Sequence, residues 1–228
     1  MSYEFEITDL GLMSYYLGLE VKQLEEGILI FQECYAKEVL KKFKMFDYNP
    51  VNTTMESGMK LSKFEYREKE NPTIFKSLMG SLRYLTCTRP DILYTVGVVS
   101  RFMETLTSTH MKVAKRIFRY LKGTLDYGLF YSFSNDFKLH GFCDSDYVGD
   151  IDDKKSTSGF IFFMGGCAFS WSSNKQSIVT LSTCESEYVA ATSCTCHAIW
   201  LKRLLKELHF PQVEATKICI EKKFAQAL

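Results

Sequence analysis

The sequence contains no run of eighteen apolar residues, which excludes a membrane-spanning helix of ordinary length. Its first residues, MSYEFEITDLG, lack the charged-then-apolar order of a secretory signal. It has no Cys-x-x-Cys pair, no internal repeat and no low-complexity stretch. Its eight cysteines therefore read as mostly reduced thiols of an intracellular protein, in cytoplasm or nucleus. Cys194, Cys196 and His197 lie close together, but their spacing fits no standard zinc pattern, and small buried thiols on a helix are the expectation. Neither sign of charge dominates: 28 Lys and Arg face 27 Asp and Glu, a net charge of +1. That balance excludes a globally basic nucleic-acid protein and leaves room only for a local basic stripe.

What is present suffices for real cores. Of 228 residues, 46% are apolar and 14% aromatic, enough for one large domain or two small ones. Alternation at Leu17, Leu19 and Val21, a Glu-Glu-Gly turn at 25–27, and Ile28 and Ile30 predict a hairpin over 15–32. Tyr35, Ala36, Val39, Leu40 and Phe43 share one face of a helix expected at 34–46, with Lys37, Lys41 and Lys42 on the other. Residues 47–70 read as a linker. Pro72 opens a helical block whose second helix follows Arg89-Pro90-Asp91 and whose third runs from Ser108 to Lys122, with Gly123 as its C-terminal cap. The aromatic, alternating LDYGLFYSF (125–133) is strand-like.

From about residue 136 the pattern becomes strand-strand-strand-helix-strand: LHGFCDSD (139–146), FIFFM (160–164), CAFSWS (167–172), a long helix over 181–208, and TKICI. Antiparallel strands followed by helix and strand imply a mixed α/β sheet.

Three carboxylates stand out. Asp144 ends the first of these strands, Glu187 lies in the first turns of the long helix, and Glu221 ends the last apolar run. Carboxylates so placed can converge on Mg²⁺, which suits phosphodiester hydrolysis. Ser182 and Glu185 form a capping box, which gives Glu185 a structural task and leaves Glu187 without one. The neighbours of Glu187 along its helix, Ala190, Ala191, Cys194 and Ala198, form a small-residue face suited to close packing on a sheet, although a first-turn Glu serving the helix dipole from an exposed site is the alternative. Asp144 and Asp146 point to the same side of an extended strand. A calcium loop beginning at Asp144 fails, because Val148 replaces an oxygen ligand and Lys155 replaces the closing Glu; Asp150, Asp152 and Asp153 then read as a solvated turn. Lys112, Lys115, Arg116, Arg119 and Lys122 recur in steps of three and four, opposite Val113, Ile117, Tyr120 and Leu121. Such a stripe can follow a phosphate backbone, or be an ordinary solvated face.

The blocks GFCDSDYVGDIDDKKSTSGFIFFMGG, FSWSSNKQ, and LSTCESEYVAA followed by AIWLKRLL closely resemble the ribonuclease H segment of copia-type retrotransposon Pol polyproteins. Upstream, FEITDLGLMSYYLGLEV resembles the segment after the polymerase palm, and FKSLMGSLRYLTCTRPDILYTVGVVSRFM with AKRIFRYLKGT resembles the connecting region. The resemblance covers essentially the whole chain. It implies an α+β, mixed α/β architecture: a reverse transcriptase C-terminal hairpin and thumb-like helix (1–49), a linker and helical connection (50–134), and an incomplete ribonuclease H-like domain of mixed sheet and packed helix (135–228).

By the same resemblance, the family's first catalytic Asp maps onto Asp144, its helix Glu onto Glu187, and its third carboxylate onto Glu221. The chain departs from the family's Cys-Asp-Asn-Lys at the last of these, with Glu221 for Asp and Lys222 for Asn. The polymerase Tyr-x-Asp-Asp motif is expected before residue 1 and the fourth nuclease acid beyond Leu228. The implied ancestral role is reverse transcription with Mg²⁺- or Mn²⁺-dependent hydrolysis of the RNA strand of RNA–DNA hybrids. Three functions follow as expectations: a weak metal-dependent nuclease, a non-catalytic nucleic-acid binder using the stripe, or a non-functional transposon-derived fragment.

Overall fold

The computed structural model describes residues 11–64, 70–133 and 137–220. Glu221, the run to Leu228, most of FEITDLG and the centre of KFEYREKE lie outside the described residues. The described residues form two four-stranded sheets and five α-helices, a mixed α+β architecture.

The first sheet has the order β1-β2-β3-β4. Its strands are β1 (Tyr15–Tyr16), β2 (Leu19–Leu24), β3 (Gly27–Phe31) and β4 (Gly128–Ser132). β2 and β3 form the expected hairpin, closing at Leu24↔Gly27 around Glu25 and Glu26. β4 comes from far along the chain to pair antiparallel with β3, from Gly27↔Ser132 to Phe31↔Gly128.

Four helices pack on one another between β3 and β4 in the chain. α1 (Glu33–Lys42) stops short of the expected residue 46, because Lys44 adopts a left-handed φ of 55°. α2 (Pro72–Leu85) starts where the Asn71 side chain accepts from Thr73 N (2.9 Å) and Pro72 fills the first turn. A single 3₁₀ turn at Pro90–Ile92 leads into α3 (Leu93–Ser100). α4 spans Ser108–Lys122. Gly123 does follow it, but with φ −78°, not left-handed. A Cβ there would meet the Pro50 side chain at 3.1 Å, so close approach of the linker accounts for the glycine. Phe75, Leu78, Met79 and Leu82 of α2, Val96 and Val99 of α3, Ile117 and Phe118 of α4, and Leu40 of α1 form one core.

The second sheet, in the order β7-β6-β5-β8, contains β5 (Leu139–Asp146), β6 (Thr157–Met164), β7 (Cys167–Lys175) and β8 (Lys217–Ile220). β6 and β7 extend beyond the apolar runs that mark them in the sequence. They turn through Gly165 and Gly166, with φ of 61° and 89°, a conformation that side chains resist. β5 pairs antiparallel with β6 and parallel with β8. α5 (Thr183–Glu207) lies across one face. Cys143, Phe162 and Leu139 of the sheet meet Cys194, Ala198, Leu201 and Leu205 of α5 in a second core. On the opposite face Ile161, Phe163 and Trp171 pack against Leu129 and Tyr131 of β4. Trp171 Nε1 donates to Thr86 O (3.1 Å), tying this face to the end of α2.

Candidate functional site

Asp144 and Glu187 both lie close to Cys143, from different sides. Cys143 faces α5, where its thiol meets Cys194 within the core. Alternation along β5 turns Phe142, Asp144 and Asp146 to the other face. Glu187 is wholly buried on the sheet-facing side of α5, along the small-residue strip of Ala190, Cys194 and Ala198. The hydrogen bond from Cys194 holds the Cys143 thiol below its ordinary pKa; burial and the charges of Glu187 and Asp144 act the other way. Both carboxylates therefore project their fields onto one sulfur, while strand alternation separates them by face.

Asp144 is exposed and accepts from Ser145 N (2.7 Å). It opens into a groove of about 750 Å³ between the sheet and α3, lined among others by Tyr94, Phe142, Asp146, Ile161, Trp171 and Ile220. Within it the Tyr94 hydroxyl donates to Asp146 Oδ2 (2.9 Å), and Thr157 N donates to Asp146 Oδ1. Burial raises the Asp146 carboxyl above its ordinary range despite these donors, and burial beside Asp146 pushes the Tyr94 phenol up as well.

The third predicted carboxylate, Glu221, lies outside the described residues. β8 nevertheless approaches it in a telling register. Ile220, the residue before Glu221, pairs with Cys143, the residue before Asp144. Among the described residues no three His, Cys, Asp or Glu side chains are grouped closely enough to hold a metal. Asp144 and Glu187 offer the hard oxygen donors that Mg²⁺ prefers, but the two alone do not make a site.

A polar knot beside these carboxylates was not anticipated from the sequence. Gln176 follows β7 and is buried. Its Nε2 lies 2.9 Å from Ser186 O, 2.9 Å from Ser158 Oγ and 3.3 Å from Ser145 Oγ. Ser145 follows Asp144 and Ser186 precedes Glu187, so one amide meets the side chain next to the first carboxylate and the backbone next to the second. Ser182 caps α5 as expected, with Glu185 N donating to Ser182 Oγ (3.1 Å), but the reciprocal half of the expected box is displaced by one residue: Glu185 Oε2 accepts from Leu181 N (2.7 Å), the residue before the cap. On α5, Cys194 is buried but Cys196 is exposed, and His197 Nε2 pairs with Ser170 Oγ (2.8 Å).

The acidic turn after β5 corrects the expectation of a solvated loop. Asp150 is buried. It accepts from Lys175 Nζ (2.6 Å) and from the backbone of Asp152 (3.0 Å), and Arg101 lies 3.6 Å away. Asp152 reaches the linker, accepting from Ser62 Oγ (2.6 Å) and Lys63 N (2.8 Å). The turn ties the second sheet to α3 and to the linker.

The basic stripe on α4 divides in two. Val113, Ile117 and Leu121 are buried opposite it. Arg116 binds Glu56 Oε1 (2.9 Å) and Thr53 Oγ1 (3.0 Å), Arg119 donates to Asn49 O (2.7 Å), and Lys122 to Tyr48 O (2.9 Å). These three strap the linker onto α4. Lys112 and Lys115 are exposed. Arg116→Ala is therefore expected to speed protease cleavage within residues 47–58 while costing at most about 1 kcal/mol, since Glu56 is largely solvated. Lys112→Ala with Lys115→Ala is expected to leave that cleavage unchanged.

The reverse transcriptase (RNA-dependent DNA polymerase) family model matches residues 1–57. A retrovirus-related Pol polyprotein from transposon TNT 1-94 of Nicotiana tabacum is 40% identical over 228 residues, covering 96% of this chain. The corresponding polyprotein from transposon RE1 of Arabidopsis thaliana is 38% identical over 208 residues, covering 91%. The chain belongs to the copia-type retrotransposon Pol family. It spans only 17% and 14% of those two Pol polyproteins. An uncharacterised mitochondrial protein of Arabidopsis thaliana has a similar extent: 34% identity over 200 residues, 88% of this chain and 83% of that protein. No solved structure matches this Pol segment. Among the described residues no helix is long and apolar enough to cross a membrane.

Proposed function

We propose that the chain is the nucleic-acid-handling part of a Pol protein that bears a ribonuclease H-like domain over 135–228, preceded by a thumb-like region (1–49) and a helical connection (50–134). The observation that carries this reading is the parallel pairing of β8 with β5 up to Ile220↔Cys143, with α5 laid across β5. Three antiparallel strands, a crossing helix and a parallel fourth strand next to the first make a frame in which Asp144 and Glu187 are carried by adjoining elements, and Glu221 is the next residue in sequence after β8. The partner is an RNA–DNA hybrid, with Lys112 and Lys115 as the free phosphate contacts. Arg116, Arg119 and Lys122 shape the surface by holding the linker.

In this reading Asp144, Glu187 and Glu221 are the residues that would hold Mg²⁺ or Mn²⁺. The ion, when bound, would activate water and stabilise the leaving oxygen. Gln176 ties the Ser145 side chain to the Ser186 backbone, and the groove beside Asp144 keeps that carboxylate open to solvent while Glu187 is shielded from it. The opposite facing of Asp144 and Glu187 favours the rival reading, a binder without catalysis. Glutamate at 221 weighs the same way: it is one methylene longer than aspartate, and misplacement on the order of 1 Å costs ~100-fold in rate.

Cleavage of a labelled RNA–DNA hybrid, measured beside a thermal melt with and without Mg²⁺ or Mn²⁺, separates the two readings. The nuclease reading expects weak cleavage abolished by Asp144→Asn, faster cleavage in Glu221→Asp, and metal-dependent stabilisation lost in Asp144→Asn. Saturation at about 100 times the dissociation constant would add about 2.7 kcal/mol of stability. Hybrid binding with neither cleavage nor a metal-dependent melt leaves the binder reading and sinks the nuclease. Cleavage as fast as that of an intact ribonuclease H would overturn the role given to Glu221.

A further inference from the structure

At the junction of α1 and the linker, the basic face of α1 and the end of the α4 stripe converge on one aromatic ring. Phe46 is 39% exposed, and the ammonium groups of Lys41 and Lys122 lie 5.9 and 5.8 Å from its ring centroid. Tyr48, two residues on, is 52% exposed. Lys41, Lys42 and Lys44 are exposed on the same segment, with Asp47 the adjoining acid. Phe46 follows buried Met45, and its ring is partly open to solvent between the two ammonium groups.

Lys115 and Lys122 are seven residues apart on α4, which places them on one face about 10 Å apart along the helix. That distance is longer than the step between successive phosphates and suits alternate ones. The track they define leads from exposed Lys115 to Phe46. Both ammonium groups sit near the outer limit of about 6 Å for cation–π attraction, so Lys41 can turn to a phosphate at little loss, while Lys122 keeps its bond to Tyr48 O (2.9 Å) and offers its remaining N–H donors to one. The ring face that Lys41 releases is open to a base.

We propose that Phe46 is a stacking platform for an unpaired base of single-stranded nucleic acid, with Lys41 and Lys122 neutralising the phosphates on either side of that nucleotide. The proposal rests on the nucleic-acid reading above and adds to it a single-strand subsite on α1 and the linker, separate from the groove at Asp144. Every base has a π-face, so the subsite is indifferent to sequence but selective for unpaired over paired nucleotides.

The test uses the full chain and two probes: a short oligothymidylate carrying one fluorescent purine analogue, and a blunt RNA–DNA hybrid. Phe46→Leu keeps apolar bulk and removes the aromatic face. It is expected to weaken oligothymidylate binding about tenfold and abolish quenching of the analogue, with the hybrid affinity and the salt slope unchanged. Lys41→Ala is expected to lower the salt slope for the single strand by about one phosphate's worth. Circular dichroism and the melting temperature check that both variants fold. If the parent binds both probes and Phe46→Leu binds and quenches the single strand equally well, the platform is overturned and the reading of the α4 lysines stands. If the parent binds neither probe, both fall together.

Discussion

Phe162→Ala is expected to cost about 3–5 kcal/mol of stability, the largest loss from any single side chain in the second sheet. Phe162 is fully buried on β6, between the strand pair at Gly141 and the α5 face of Cys194 and Leu201. Truncation removes an aromatic ring that the rigid sheet and a 25-residue helix cannot collapse to replace. The same ring explains the glycine opposite it. A Cβ at Gly141 would lie 2.7 Å from Phe162 Cε1, in the middle of a strand where glycine is otherwise a poor choice. Gly141→Ala is expected to destabilise by about 1–3 kcal/mol through overpacking. The decisive measurement is a double-mutant cycle by urea unfolding. Phe162→Leu frees space, so the Gly141→Ala cost is expected to shrink in that background. Equal costs in both backgrounds would show that the two residues do not share this space.

Gly141 marks where the sequence stops being legible. Local signals were plain. The periodicity over Ser108–Lys122, the alternation over Leu139–Asp146 and the Ser182 cap each depend on residues a few positions apart, and each forms as expected. The long-range partners were not. The strand over Gly128–Ser132 was visible, yet nothing local says that it pairs with Gly27–Phe31. The helical spacing of Arg116, Arg119 and Lys122 was visible, yet their occupation by the linker depends on how residues 48–56 return to α4. For the carboxylates, alternation correctly put Asp144 and Asp146 on one side, and the small-residue strip correctly put Glu187 against the sheet. That those two sides are opposite faces of β5 follows only once α5 is known to pack on the Cys143 side. Gln176 had no signal of its own, because a glutamine after a strand is ordinary until the oxygens of Ser145, Ser158 and Ser186 are gathered around its amide.

Asp150 is the clearest case of a charge whose surroundings were hidden, and Asp150→Ala is expected to cost about 3 kcal/mol. For a chain of this length that corresponds to a fall of roughly 6–12 °C in melting temperature. The loss has two parts. Lys175 keeps only Asp153 (2.5 Å) as a partner, and Arg101 loses its nearest carboxylate. The Asp152 and Asp153 amides also lose their common acceptor, which loosens the turn that holds Ser62 and Lys63 of the linker. If unpaired charge is the larger part, Asp150→Leu with Lys175→Met is expected to be more stable than Asp150→Ala alone, since well-packed apolar replacements of a buried pair are often neutral. A double variant no better than Asp150→Ala would assign the loss to the turn. The pH dependence follows with a definite sign. Burial raises the Asp150 carboxyl, but the donors Lys175, Asp152 N and Asp153 N more than offset it, and its folded pKa lies below the ordinary range. A carboxyl depressed in this way contributes stability above its unfolded pKa and loses it as pH falls through the folded value, hence below about pH 4. Lys175 is raised: burial lowers it, but Asp150 and Asp153 prevail. Its contribution is complete below the unfolded lysine pKa and disappears as pH rises through the folded value, above about pH 10. Urea titrations across pH are expected to show the parent and Asp150→Asn differing most on the plateau between these limits and converging at the acid end. A difference that persists undiminished at acid pH would show that Asp150 acts through its shape and not its charge.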